Sequence, residues 1–250
     1  MKPKTRIQCA LLFAVFVLSE RSASAGYVVL MADTTPFVPL IYDAYEAFDG
    51  NRQFFRNLSA DSGSVLVTGG SSINPPFRFY KAAENTTAAF TSNELTAETL
   101  ESVTLVITDG RQSFTTAEAQ LLRTLVRNGG NLFIGVDVTS PRGNGAEVDL
   151  AINAANFLLS EMRISMSVAK EPLDSGYRVA RGSQIRTHPL TRGVSEFGYG
   201  LAGRVSGGAP LFRSTERTPF AAAVFVPEPC TVSLGTSAVA FIFARVRLRK

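Results

Sequence analysis

Cysteine, histidine and tryptophan are scarce in this chain of 250 residues. It has no tryptophan, a single histidine, His188, and two cysteines, Cys9 and Cys230, which lie near opposite ends. The long segment between the cysteines therefore has no thiol nucleophile and cannot form a disulfide. His188 precedes a proline, which favours an extended backbone and a turn, where a histidine is more often a hydrogen-bonded structural residue than a base. Since there is no G-x-S-x-G elbow either, the sequence does not indicate nucleophilic catalysis.

The positive net charge is confined to the two ends of the chain. There are 25 basic and 21 acidic residues, a formal charge of +4. Eight of the basic residues lie in the first 25 or the last six positions, where the only acid is Glu20. The remainder has 17 basic and 20 acidic residues and a net charge of −3. This mildly acidic body makes nucleic acid an unexpected partner.

Residues 1–25 have the three parts of a secretory signal peptide. A basic segment precedes an apolar run over residues 9–18, and the small residues Ala23 and Ala25 then fit the A-x-A cleavage rule before Gly26. The apolar run of about 10 residues is short of the roughly 20 that a membrane helix needs. We therefore expect signal peptidase and the export machinery to act on the protein.

A strand–helix–strand unit occupies residues 103–137. Both of its ends are short apolar runs rich in β-branched residues, the pattern of strands that are buried on both faces. Thr115 and Glu118 form a capping box at the start of the intervening helix, and Gly129 is the expected left-handed residue after its end. A unit of this length is a parallel βαβ crossover, so the sequence predicts the α/β class.

The remaining pattern extends this core into one predicted domain, residues 26–226. Further strands or short extended pieces are predicted at residues 27–31, 65–68, 164–168, 177–180, 184–185, 209–212 and 219–226. Helices are predicted over residues 40–48, 95–101 and 148–162, the last with Leu150, Ala154, Phe157 and Leu158 along one side. Residues 50–64, 71–79 and 139–147 are predicted to be loops or turns.

The last 24 residues, 227–250, form a tripartite tail. Pro227, Glu228 and Pro229 precede an apolar segment, residues 230–244, and a basic C-terminal end. The tail resembles the PEP-CTERM sorting signal of Gram-negative bacteria, whose proteins are substrates of the membrane protease-transpeptidase exosortase. The resemblance implies that exosortase recognises Pro227, Glu228 and Pro229, and that a short transmembrane span follows. A terminal strand with a basic tail is the alternative, because about 15 residues give a helix shorter than the ~30 Å hydrocarbon core.

The body also resembles a known family. The sequences TDG (108–110), RNGGNLFIGVD (127–137) and HPLTRGV (188–194) are similar to class I glutamine amidotransferase-like (flavodoxin-like) domains. This resemblance implies a single doubly wound, mostly parallel sheet with flanking helices, in addition to the helices of the signal peptide and tail. Active members of the family use a cysteine nucleophile with histidine and glutamate partners. The body lacks that cysteine, so a non-catalytic domain is expected.

Three aspartates follow predicted parallel strands. Asp33, Asp109 and Asp137 each lie at the expected carboxyl end of a strand, and Arg111 is close by in sequence. That edge is where open α/β sheets bind ligands, so these residues could hold a polar sugar or a hard cation such as Ca²⁺. The alternative is that each aspartate caps the next helix or starts a turn. No other cofactor is expected.

Two classes of function follow from these features. The first is an exported, exosortase-processed protein of the envelope or extracellular matrix, whose domain binds a partner or has a structural role. It would reside transiently in the inner membrane before reaching the cell surface, with exopolysaccharide as a further expected partner. The second is a carbohydrate-active or other hydrolase that uses the aspartate-lined edge. A permanently anchored protein whose tail is never processed is a third reading.

Overall fold

The structure is a computed structural model that describes residues 26–42, 48–60, 63–70, 73–138, 145–174 and 176–227. The predicted signal peptide, with Ala23 and Ala25, lies outside this part of the chain. So do Glu228, Pro229 and the rest of the predicted tail. Within the described ranges, none of the helices is both long enough and apolar enough to cross a membrane.

The chain forms an α/β fold around a mostly parallel seven-stranded sheet. Its strand order is β10-β11-β1-β5-β4-β2-β3, in which the five strands from β1 to β3 are parallel and the β1–β11 and β11–β10 pairs are antiparallel. Two small antiparallel sheets, β6-β9 and β7-β8, accompany it. The strands are β1 Gly26–Met31, β2 Gly63–Thr68, β3 Thr86–Thr91, β4 Val103–Thr108, β5 Asn131–Gly135, β6 Met166–Ala169, β7 Arg178–Arg181, β8 Glu196–Tyr199, β9 Arg204–Gly207, β10 Ala209–Arg213 and β11 Pro219–Val226.

Four α-helices are described, and they cover both faces of the large sheet. They are α1 Phe48–Ser59, α2 Asn74–Lys81, α3 Thr116–Arg127 and α4 Gly145–Glu161, and three 3₁₀ turns occur at Thr35–Leu40, Gly182–Gln184 and Pro189–Thr191. Side chains alternate between the faces along β1, so Val28 and Leu30 join a core with α3 and α4, whereas Val29 and Met31 join a core with α1. The second core is rich in phenylalanine, and Phe54 of α1 contacts four other phenylalanine rings at centroid distances of 5.1–6.3 Å.

The two ends of the described chain meet at the amino edge of the sheet, where the parallel strands begin. Gly26 lies opposite Val226 in the antiparallel β1–β11 pair, and Tyr27 lies opposite Phe225. A Cβ atom at Gly26 would lie 1.8 Å from the carbonyl oxygen of Gly130, so only glycine fits there. Both core clusters consist of residues between these two ends. The segment from Gly26 to Pro227 therefore carries its own hydrophobic core.

The predicted strand–helix–strand unit is confirmed. Helix α3 begins after Thr115, whose side chain accepts a hydrogen bond from the Glu118 backbone N–H, and the full capping box is present. Gly129 follows the helix with φ of +93°. Strands β1 and β11 are also where the sequence predicted them, and helix α4 agrees with the helix predicted over residues 148–162 to within three residues at each end.

Several sequence predictions on either side of β2 are wrong. The predicted loop at residues 50–64 is mostly helix α1, because its buried residues Phe54, Phe55 and Leu58 recur at helical spacing among polar ones. The predicted turn at residues 71–79 contains the start of α2, in which prolines occupy the first turn, where no backbone N–H is needed. The predicted helix at residues 40–48 is wrong at its start, since Leu40 ends a 3₁₀ turn and residues 41–42 are not helical. Phe48 is helical as the first residue of α1, and residues 43–47 lie outside the described part of the chain.

Other corrections concern short elements and one helix face. Residues 95–101 form no helix, since 97–101 are a turn, and strands β3, β8 and β9 were not predicted. Of the extended piece predicted at residues 184–185, Gln184 ends a 3₁₀ turn and Ile185 forms an isolated bridge to Phe212. Helix α4 starts at Gly145, within the predicted loop. Its buried face comprises Val148, Ala151, Ile152, Ala155, Leu158 and Leu159, whereas Leu150 and Phe157 are 69% and 42% exposed. The predicted apolar stripe was therefore rotated away from the true one.

Candidate functional site at the carboxyl edge of the sheet

The three predicted aspartates lie at the same edge of the sheet. They follow β1, β4 and β5, which are neighbouring parallel strands in the order β1-β5-β4. Met31 is paired with Gly135, so Asp33 and Asp137 each lie two residues beyond a matched pair. Asp109 directly follows Thr108, which is paired with Ile134. The three aspartates therefore follow neighbouring strands, as a site shared between them would require.

Asp33 is buried and its carboxylate is bound to two backbone N–H groups. Thr35 donates to Oδ1 at 2.7 Å, and Gly200 donates to Oδ2 at 2.6 Å. Burial raises the pKa of Asp33 to about 6, the two N–H donors oppose this rise, and the negative charge of Asp137 adds to it. The contact with Gly200 ties the end of β1 to the loop that follows β8.

Asp109 is fully buried and acts as a clamp between two strands. Both of its carboxylate oxygens lie 3.0 Å from the backbone N–H of Gly70, and Oδ1 also accepts from the Arg111 N–H at 3.2 Å. Gly69 has φ of +137°, and a Cβ atom there would lie 2.3 Å from Asp109 Oδ1. The glycine pair after β2 therefore lets the backbone approach this carboxylate closely.

Arg111 links the edge to the third aspartate. Its guanidinium lies 3.4 Å from Asp137 Oδ2, and the two side chains are 35% and 22% exposed. A partly solvated pair of this kind contributes on the order of 1 kcal/mol or less. Its main effect here is to hold the Asp137 carboxylate across the end of β5.

These contacts determine what the edge can do chemically. The connections after β2 and β4 pass to opposite faces, which makes this the crevice where an open α/β sheet binds ligands. It is occupied by the Asp109 clamp and by a hydrogen bond from the Thr68 hydroxyl to the Gln112 side chain. Across the described ranges, no group of three or more His, Cys, Asp or Glu side chains is arranged to hold a metal ion. A Ca²⁺ site at this edge stays a prediction.

His188 has the structural role that the sequence predicted. Its Nδ1 accepts a hydrogen bond from the Leu190 N–H at 3.2 Å, so the ring caps the 3₁₀ turn Pro189–Thr191. The ring packs edge-to-face on Tyr27 with centroids 5.2 Å apart, and burial lowers the pKa of His188. The neutral ring therefore carries its proton on Nε2.

Two cationic depressions were missed by the sequence reasoning. The first, which we call the arginine pocket, has a volume of about 610 Å³ and is lined by residues that include Arg186, Thr187, His188, Arg192 and Ser195. The second, the helix cleft between α1 and α2, has a volume of about 750 Å³, with Arg52, Arg56, Arg78 and Lys81 beside Phe77 and Phe79. Neither is lined by a described acidic residue. The high arginine content of residues 178–192 was the only sequence signal for the first.

Comparison with known proteins does not assign the chain to a family. A scan against protein-family models finds no match, and a search of curated proteins finds no similar sequence.

Proposed function

We propose that this protein is an exported, exosortase-processed component of the cell envelope or extracellular matrix, and that its α/β domain binds a partner rather than catalysing a reaction. The observation that carries the proposal is the pairing of Gly26 with Val226. The two predicted processing points, before Gly26 and close to Pro227, flank the folded segment and lie side by side at one edge. Pro227 is exposed, so a protease could reach the start of the motif.

The strand order supports placing the domain with flavodoxin-like folds. Strands β3-β2-β4-β5 repeat the order 2-1-3-4 of such sheets, and β1 stands where the fifth strand would be. The class I glutamine amidotransferase-like resemblance of the sequence is consistent with this arrangement. The antiparallel β11 and β10 extend the sheet beyond it.

A binding role is supported by the state of the residues that could have served catalysis. Residues 26–227 contain no cysteine, and Nδ1 of the only histidine is used as a turn cap. Asp33 and Asp109 accept backbone hydrogen bonds that hold loops in place. A catalytic base must lie within reach of the substrate, whereas Asp33 is 3% exposed and Asp109 is fully buried.

One observation favours the second candidate, a carbohydrate-active or other hydrolase. The pKa of Asp33 is raised to about 6, and Asp137 is close enough to contribute to that rise. Glycoside hydrolysis commonly uses two neighbouring carboxyl groups, of which the general acid has a raised pKa. Hydrolysis of a panel of nitrophenyl glycosides that is lost in Asp137→Asn, but retained in Asp149→Asn, would support this alternative over the binding role.

The test of the main proposal is the intact mass of the protein released from its native host, with and without the exosortase gene. We expect a species that begins at Gly26 and ends near Pro227–Pro229, and we expect it to disappear in the knockout. Glu228→Ala should abolish release, because the resemblance makes Glu228 part of the recognised motif. Glu216→Ala, which removes an exposed acid on the β10–β11 turn, is the matched control and should be processed normally.

A species that retains residues 230–250 in both strains would contradict the proposal. The tail would then be a permanent anchor or a terminal strand.

A further inference from the structure

The arginine pocket lies at the amino edge of the sheet, where the described chain ends. His188 contacts Tyr27 with ring centroids 5.2 Å apart, and Tyr27 contacts Phe225 at 5.5 Å. Phe225 is 54% exposed and precedes Pro227 by two residues. A continuous row of rings therefore connects the pocket to the point where the chain continues into residues 228–250.

The lining of the pocket offers hydrogen-bond donors and positive charge. Arg186 and Arg192 are exposed, and neither forms an ion pair with any described residue. Because Nδ1 of His188 accepts from Leu190, its Nε2–H is left as a donor. Thr187 and Ser195 add hydroxyl groups to the lining. Such a donor set matches the oxygens of a phosphate group, which arginine binds in a forked geometry.

Three hydrogen bonds hold the backbone at Arg186 and Arg192 in place. Thr191 Oγ1 donates to the Arg186 carbonyl at 2.6 Å, and the Arg186 N–H donates to the Leu211 carbonyl at 2.9 Å. Asn57 of α1 donates to the Arg192 carbonyl at 2.8 Å. The backbone positions of both arginines are thus fixed before any ligand binds, so only their side chains have to be ordered on binding.

We propose that the arginine pocket binds the phosphate of an anionic lipid headgroup while Phe225 enters the membrane interface. This inference rests on the proposed function, in which the segment after Pro227 holds the protein at the membrane until exosortase cleaves it. A lipid phosphate is favoured over free phosphate because the exposed Phe225 ring is connected to the pocket through Tyr27 and His188, and proteins combine cations with aromatic rings at membrane surfaces. The amino edge then faces the membrane, and the aspartate-lined edge faces away from it.

The test uses the segment from Gly26 to Pro227, which carries its own core, so that the predicted span cannot contribute. Co-sedimentation is measured with vesicles of phosphatidylcholine alone and with vesicles that contain phosphatidylglycerol. We expect binding only to the anionic vesicles, weakened roughly 30-fold by the double substitution Arg186→Gln and Arg192→Gln. The matched control, Arg56→Gln with Arg78→Gln, removes two charges from the helix cleft and should leave binding within about twofold.

A second readout separates insertion from charge attraction. The chain has no tryptophan, so Phe225→Trp provides a single emitter at the proposed contact, and Phe90→Trp provides one at the opposite edge, where Phe90 is 51% exposed. We expect the emission of the first to shift to the blue on adding anionic vesicles, and that of the second to stay unchanged.

Three outcomes would overturn the inference. They are an equal loss of binding in both double variants, the absence of vesicle binding, and retention of inorganic phosphate by a protein that ignores vesicles. None of these outcomes affects the exosortase-dependent change in mass, so a failure of the lipid-binding proposal is distinguishable from a failure of the proposed function.

Discussion

Replacing Asp33 by asparagine tests the electrostatics of the carboxyl edge. Asp33 is only 3% exposed, and each of its oxygens accepts a backbone N–H. Asparagine would turn an amide NH₂ toward one of those donors and leave it without an acceptor. An unsatisfied buried donor costs about 1–3 kcal/mol, so the variant should be less stable than the wild type wherever Asp33 is protonated.

The pH dependence follows from the raised pKa. The folded protein holds the Asp33 proton up to about pH 6, whereas the unfolded chain releases it near 3.8. Between these values the unfolded state binds fewer protons, so the contribution of Asp33 to stability falls as the pH rises. At 1.36 kcal/mol per pH unit the fall amounts to about 3 kcal/mol. The advantage of the wild type over Asp33→Asn, about 1–3 kcal/mol at pH 3.5, should therefore be absent or reversed at pH 7.5.

Urea unfolding followed by far-ultraviolet circular dichroism at the two pH values measures this difference. Asp149→Asn is the matched control, because Asp149 is exposed and paired with Lys170, and it should change the free energy of unfolding by less than about 1 kcal/mol at either pH. An advantage of the wild type that stays constant, or that grows toward pH 7.5, would refute the reasoning. It would mean that the two N–H donors outweigh burial and keep Asp33 ionised.

Three further substitutions should be measurable by the same unfolding assay. Thr115→Ala removes the acceptor for the Glu118 N–H and should cost about 1 kcal/mol, and a cost near zero would contradict the cap. Phe54→Ala empties the centre of the phenylalanine cluster and should cost about 3–5 kcal/mol, well above the exposed control Phe90→Ala. Asp109→Ala leaves the Gly70 N–H without its carboxylate and should cost at least about 2 kcal/mol; a smaller loss would show that the clamp is dispensable.

The parts of the fold that could be predicted from the sequence are those with strong local signals. Strand β4, the capping box at Thr115, the glycine after α3 and strand β5 each depend on neighbouring residues. Helix α1 was missed because polar residues separate its apolar ones, although Phe54, Phe55 and Leu58 follow a helical period. Strands β8 and β9 have four residues each and pair with distant segments, so no local pattern marks them.

The candidate site was predictable in position and not in chemistry. That Asp33, Asp109 and Asp137 share an edge follows from their places after parallel strands. The hydrogen bonds that these carboxylates accept could not be predicted. The partner of Asp33, Gly200, is 167 residues away in sequence, and the partner of Asp109, Gly70, belongs to a different strand connection. The same limit hides the arginine pocket, since only the fold shows that Arg181 pairs with Glu196 while Arg186 does not.

The carboxyl edge and the amino edge of the sheet differ in how far their charged side chains are already paired. In open α/β sheets the crevice at the carboxyl ends of the strands is the usual binding position. Here Asp109 is bound to the Gly70 N–H and Asp33 to the Gly200 N–H, so a ligand that displaced either carboxylate would leave a backbone N–H unsatisfied. At the amino edge, Arg186 and Arg192 would lose no ion pair to any described residue. Because a function has to be argued from the residues of a site rather than from the fold, we expect the amino edge, with its arginines unpaired among the described residues, to bind a ligand before the carboxyl edge does.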